Sequence, residues 1–270
     1  MLRCLALLLA LAAAPAGAQS ALTTLQTMEE ARGWEAVGRL DIAGEGFCTG
    51  SLISETLVLT AAHCLHESAS GAPIGPERIT FRAGLRGGRA LAERGVRRAL
   101  AHPAFRFGEG DRTQRSAHDL ALLELDQPIR TPQIHPFEPA ASGGAGAQVG
   151  IVSYAMGRAE APALQEVCAL LGEVSGVLLM DCEVEFGASG APIFRLGPEG
   201  PRIVSVVSAK AEVSGEVIAL GSPLAGELPE LMALMEETGG RLAAGLPRRI
   251  VVGEGERNDT GAKFVRPGGS

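Results

Sequence analysis

Thr60-Ala61-Ala62-His63-Cys64 ends the apolar run Leu57 to Ala61, so a strand finishes by presenting an imidazole with a cysteine at its side. One strand earlier stands Cys48-Thr49-Gly50-Ser51-Leu52-Ile53, and a Cys48 to Cys64 bridge would staple the two strands next to His63. A loop of that size contributes about 3 kcal/mol in the chain-entropy picture. Two further fragments carry chemistry. Asp119-Leu120-Ala121-Leu122-Leu123-Glu124-Leu125 opens a buried strand with an acid, which is costly there unless paired. Gly187-Ala188-Ser189-Gly190-Ala191-Pro192 flanks a serine with glycines, so the backbone can turn tightly and aim the hydroxyl and two amides at one point.

Around these fragments, short apolar or alternating runs recur between turn residues. Before residue 130 they are Ala36 to Ile42, Phe47 to Ile53, Leu57 to Ala61, Arg78 to Ala83, Leu91 to Ala101 and Leu120 to Leu125. After a Pro, Gly and Ala rich stretch come Gln148 to Tyr154, Ala163 to Leu171, Gly176 to Cys182, Pro192 to Leu196, Arg202 to Ala209 and Glu216 to Leu220. Six runs on each side of one linker predict an all-β chain of two six-stranded antiparallel β-barrels. The expected layout is an N-terminal extension 19–33, a first barrel 34–130, a linker 131–147 and a second barrel 148–222. Helical spacing of apolar residues from Leu228 to Glu237 predicts a short C-terminal helix within 223–238, followed by a mobile tail 239–270.

Composition narrows the function classes. With 31 acidic against 24 basic residues the formal charge is -7, which argues against a nucleic-acid partner. Arg3, the apolar run Leu5 to Ala14 and Ala16-Gly17-Ala18 read as a signal peptide over 1–18, cleaved near Ala18. That run is too short to span a bilayer, so no membrane partner is expected after its removal. Cleavage removes Cys4 and leaves Cys48, Cys64, Cys168 and Cys182, an even set that predicts two disulfides in a secreted or periplasmic protein. No metal is expected, because His63, Cys64 and His66 lack a second ligand pair, and no cofactor pattern appears. Nothing in the sequence sets an oligomeric state.

The three fragments, in the order His63, Asp119, Ser189, resemble a chymotrypsin-like (trypsin-fold) serine endopeptidase of the bacterial branch near the glutamyl endopeptidases, over roughly Trp34 to Leu220. The resemblance implies Ser189 as nucleophile, His63 as general base and Asp119 as the group that holds the imidazole tautomer, with a polypeptide as substrate. It implies an oxyanion hole from the backbone amides of Gly187 and Ser189, and a second-barrel disulfide between Cys168 and Cys182. His102, His118 and His135 are expected to be structural or surface residues. His118 should face away from Asp119, since consecutive strand side chains point to opposite faces.

The resemblance further implies a specificity pocket lined by Glu183, Val184, Ser208, Ala209 and Lys210, with Ser208 bonding the substrate backbone. Glu183 could favour a basic P1 side chain, Lys210 an acidic one, Lys210 could neutralise Glu183, or both charges could simply point to solvent, and the residues alone leave this open. Ala188 stands where most relatives carry the acid that binds a freed N-terminal amine. Arg249-Ile250-Val251-Val252-Gly253 looks like an activation site but lies beyond both barrels. The expectation is therefore an enzyme without the usual zymogen switch, insensitive to where the chain starts between Gln19 and about Glu30. A catalytically inactive homologue serving as a binding module is the competing reading.

Overall fold

The computed structural model describes residues 20–108, 112–213 and 215–245. The expected signal peptide, residues 246–270 and the Arg249 to Gly253 segment lie outside the described residues.

Strands β1 (Thr23–Thr24), β2 (Val37–Ile42), β3 (Gly46–Leu52), β4 (Leu57–Thr60), β5 (Ile79–Ala83) and β6 (Ala92–Ala101) precede a short helix α1 (Arg112–Ala117). They are followed by β7 (Ala121–Leu125), β8 (Gln148–Ala155), β9 (Arg158–Val174), β10 (Val177–Met180), β11 (Pro192–Arg195), β12 (Arg202–Val213), β13 (Glu216–Pro223) and helix α2 (Glu227–Gly245). The first barrel closes in the order β2-β3-β4-β7-β6-β5. The second runs β9-β10-β13-β12-β11-β8 and closes through β8 on β9, all its pairs antiparallel. Two closed six-stranded barrels bear out the expected all-β architecture.

The period-2 pattern explains why the short strands sit where they do. In β5, Ile79, Phe81 and Ala83 are buried while Thr80 and Arg82 are half-exposed, so one face fills the barrel and the other meets water. An aromatic cluster ties the barrels together. Phe194 of β11 packs 5.0 Å from Trp34 ahead of β2 and 4.7 Å from Phe137 of the linker, ring centre to ring centre. Tyr154 of β8, fully buried, donates its hydroxyl to the Leu85 carbonyl of the first barrel at 3.0 Å, and burial raises its pKa further above the usual phenol value.

The structure departs from the sequence reading in several places, β12 and β13 among them, which run on to Val213 and Pro223. The strand expected over Ala163 to Leu171 runs from Arg158 to Val174, because its two halves pair with different partners, β8 and β10, whatever the polarity of its ends. Helix α1 occupies a stretch with no regular apolar period. Helix α2 starts at Glu227 and passes the expected end at residue 238 to reach Gly245, so 239–245 is not tail; Leu242, Ala243 and Ala244 are good helix formers beyond the Gly239-Gly240 pair. The N-terminal extension 19–33 is not a bystander. Its β1 adds to β9, with Thr23 opposite Leu164 and Thr24 opposite Ala163. Leu25 is 4% exposed, a burial that contributes about 2 kcal/mol.

Candidate active site

Strand β4 delivers His63 into a 3-10 turn, Ala62–Leu65, and β7 begins just after Asp119. Because β4 and β7 are hydrogen-bonded neighbours, with Thr60 opposite Ala121, the imidazole and the carboxylate meet at the same end of the barrel. The bridge Cys48–Cys64 is formed, with its Cα atoms 6.4 Å apart, and ties the turn to β3.

Asp119 is 3% exposed and fully engaged. Its Oδ1 accepts the His63 backbone N–H at 2.8 Å and its Oδ2 lies 2.7 Å from His63 Nδ1. Ser208 donates its hydroxyl to Oδ2 at 2.5 Å. That single proton is committed to the carboxylate, so the Ser116 hydroxyl, 2.9 Å away, is the donor towards Ser208. Ser222 donates to the Ser116 carbonyl at 2.6 Å and fixes the end of α1. A carboxylate accepts only, so the proton of the neutral imidazole sits on Nδ1 and Nε2 keeps its lone pair. Burial lowers the pKa of His63, but the charge and hydrogen bond of Asp119 outweigh it and hold the ring above its ordinary value.

The serine loop enters from the second barrel and is clamped by the first. The Thr49 N–H donates to the Ser189 carbonyl at 2.8 Å. Its hydroxyl, fully buried, donates to the Gly187 carbonyl at 2.9 Å and accepts the Tyr154 N–H at 3.1 Å. Gly187 and Gly190 have φ of +96° and +74°, and a Cβ on either would collide, at Gly187 with the Phe47 ring and at Gly190 with Thr60 Oγ1 and the backbone of Thr49 and Ala61. That contact sets the serine loop against Thr60 and Ala61, just ahead of His63. The Met156 N–H donates to the Phe186 carbonyl at 2.7 Å. In a trans peptide the carbonyl and the following N–H point opposite ways, so this bond turns the Gly187 N–H away from Met156. Ala188, fully buried, packs with Val184 and with Cys168 and Cys182, which are bonded to each other.

A cleft of about 300 Å³ opens on the His63 and Asp119 side, walled by Phe105, Phe107, Arg115, Ser116, Ser208 and Ala209. Phe107 stacks on His66 at 5.3 Å, which assigns that imidazole a wall-supporting part. Of the expected pocket residues, Glu183 is exposed, Val184 buried and Ala209 half-buried. Lys210 Nζ lies 2.9 Å from Glu185 Oε2 and 5.4 Å from the Phe186 ring centre, so the carboxylate paired with it is Glu185 rather than Glu183. Ser208 spends its hydroxyl on Asp119. Thr49, Ser116, Ser222, Phe105 and Phe107 were not singled out from sequence. Thr49 offered the one signal there, a hydroxyl directly beside Cys48.

Among the described residues two groups bring metal-binding atoms close together. In the first group, Cys48, His63 and Cys64, both cysteine sulfurs are spent in the disulfide. In the second group, His102, His118 and Glu227, the Nδ1 of His102 accepts the Ala104 N–H at 3.2 Å, which places the neutral ring's proton on Nε2, the atom facing Glu227. His118 turns to Glu227 at 2.6 Å, away from Asp119, and His135 is exposed.

The chain is 40% identical over 82 residues to coagulation factor XII of Rattus norvegicus, a stretch covering 30% of this chain and 13% of that protein. It is 37% identical over 84 residues to a trypsin of Phaedon cochleariae, covering 31% and 29%. The match to a trypsin of Sarcophaga bullata is 34% over 88 residues, again 31% and 29%. The chain thus spans under a third of the length of these relatives. A solved Glu endopeptidase superposes with a TM-score of 0.66 at 16% identity, over 82% of this chain and 98% of its own, a likeness of fold. A family model described as the trypsin-like peptidase domain matches residues 48–200, more than half of the sequence, and the chain therefore belongs to the trypsin-like peptidase family.

Proposed function

We propose that the protein is a secreted or periplasmic serine endopeptidase acting through His63, Asp119 and Ser189. The observation that carries the reading is the 2.7 Å contact of Asp119 with His63 Nδ1, sealed by Ser208, which leaves Nε2 as a base above the ordinary imidazole pKa. In the first step Nε2 takes the Ser189 proton as Oγ bonds to the scissile carbonyl carbon. The oxygen, now negative, is received by the Gly187 and Ser189 amides, each such donor contributing about 3 to 4 kcal/mol. The His63 proton then passes to the leaving nitrogen as the C–N bond breaks, and water resolves the acyl-enzyme by the same route. Two disulfides support an oxidising compartment.

A fluorophosphonate probe tests the proposal. Covalent labelling at Ser189, absent in Ser189→Ala and severely slowed in Asp119→Asn, is the expected result. A folded wild-type chain that resists the probe would instead support the binding-module reading.

A further inference from the structure

The N-terminal segment is bonded to the second barrel at every turn. The Ser20 N–H donates to the Val167 carbonyl at 2.9 Å, its hydroxyl accepts the Val167 N–H at 2.8 Å, and Leu25 N–H donates to the Pro162 carbonyl at 2.8 Å. Between these anchors sits Gln165 of β9, a fully buried carboxamide. Its Nε2 donates to the Ser20 carbonyl at 3.0 Å and its Oε1 accepts the Glu183 N–H at 2.8 Å. Glu183 follows Cys182, the end of the second disulfide, and opens the run Glu183 to Ser189 that carries the oxyanion amides. One side chain therefore spans from the N-terminal strand to the first free residue of the serine loop.

We infer that Ser20 to Leu25 act as an ordering element for the serine loop, with Gln165 as the positioning residue that couples them. The inference rests on the proposed role of Ser189. Ala188 cannot make an ion pair, and Thr49 grips only the Gly187 to Ser189 end. Gln165 grips the other end, and its orientation is set by Ser20. Without the strand, the carboxamide loses the acceptor that fixes its rotamer, and the Glu183 N–H shares a buried partner free to turn away. On this reading activity depends on residues 20–25, contrary to the independence from the chain start expected from sequence.

The test is a double-mutant cycle on the mature protein: wild type, a chain lacking all residues through Thr24, Gln165→Leu, and both changes together. Two readouts are taken, the fluorophosphonate labelling rate and amide hydrogen exchange of the 183–189 segment. Each single change should slow labelling about tenfold and speed exchange in that segment, and the combination should be little worse than Gln165→Leu alone. Fully multiplicative effects, or a truncated chain that labels and exchanges like wild type, would overturn the coupling. If the truncated chain does not fold by near-ultraviolet circular dichroism, Ser20→Pro replaces it, since it removes every Ser20 bond to Val167 and keeps the strand's length. Failure of wild type to label sinks the nucleophile assignment instead, and the exchange arms still decide the coupling.

Discussion

At His63 a ring nitrogen meets a buried carboxylate in a bond of 2.7 Å, whereas at His102 the Nε2 lies 3.2 Å from Glu227 outside bonding geometry and is buried without a hydrogen-bond partner among the described residues. Both sites pair imidazole with carboxylate at an end of the first barrel, yet they move the ring in opposite directions. Burial lowers both. At His63 the single, tightly held charge of Asp119 wins and the pKa rises. At His102 burial is opposed by Glu227 and Glu230 but reinforced by His118 stacked 5.3 Å away, and the pKa falls. The difference lies in who else holds the carboxylate: Asp119 is oriented towards His63 by its backbone and by Ser208, while Glu227 turns to His118. Here the imidazole pKa rises where the carboxylate is immobilised towards the ring and falls where the carboxylate is shared with a second ring.

The largest effect that could break this comparison is loss of the carboxylate. Asp119→Asn should cut ester and amide turnover on the order of ten-thousand-fold by fixing the wrong tautomer, and Ser189→Ala should remove it altogether. Glu227→Gln should leave kcat/KM within about twofold. Equal losses at both acids would show that the two sites are not functionally distinct.

Next comes the bridge that anchors the His63 turn. Replacing Cys48 and Cys64 by alanine opens a loop closed over a separation of 16 residues and should cost about 3 kcal/mol in urea unfolding, together with activity. An active, equally stable variant would mean that β4 and β7 alone hold the imidazole.

Ser208→Ala sharpens the argument about immobilisation. Removing the 2.5 Å donor should lower kcat about tenfold, the equivalent of one charge-assisted hydrogen bond, while leaving the fold intact by circular dichroism. An unchanged kcat would shift the credit to the His63 backbone N–H.

The smallest effect is on stability against pH, and its sign differs between the two rings. The raised pKa of His63 supplies stability that is full below the unfolded value near 6.5 and disappears as pH rises through the higher folded value. The lowered pKa of His102 does the reverse: its contribution is present above that unfolded value and disappears as pH falls through the lower folded one. Unfolding free energies from pH 5 to 8 should therefore lose part of their acid-side fall in His102→Gln and part of their alkaline-side fall in Asp119→Asn. The same slope in all three proteins would contradict both shifts.

Much of this was legible in the chain itself. Alternation in short runs is a local property, so residues such as Ile79, Phe81 and Ala83 declared their faces before any partner was known, and twelve such runs implied two barrels. The fragments around His63, Asp119 and Ser189 were equally readable, since an imidazole at a strand end, an acid opening a buried strand and a serine between glycines each break a local expectation. Only the tertiary structure decided which groups hold them. Thr49 reaches Gly187 across 138 residues, Ser208 reaches Asp119 across 89, and Gln165 joins Ser20 to Glu183 across 145 and 18. Hydroxyls and carboxamides carry no periodicity, and a hydrogen bond is specified by distance and angle in space, so nothing in the neighbouring sequence announces its partner. The length of β9, set by which strands flank it, and the burial of Leu25 against a strand far along the chain are products of the same closure.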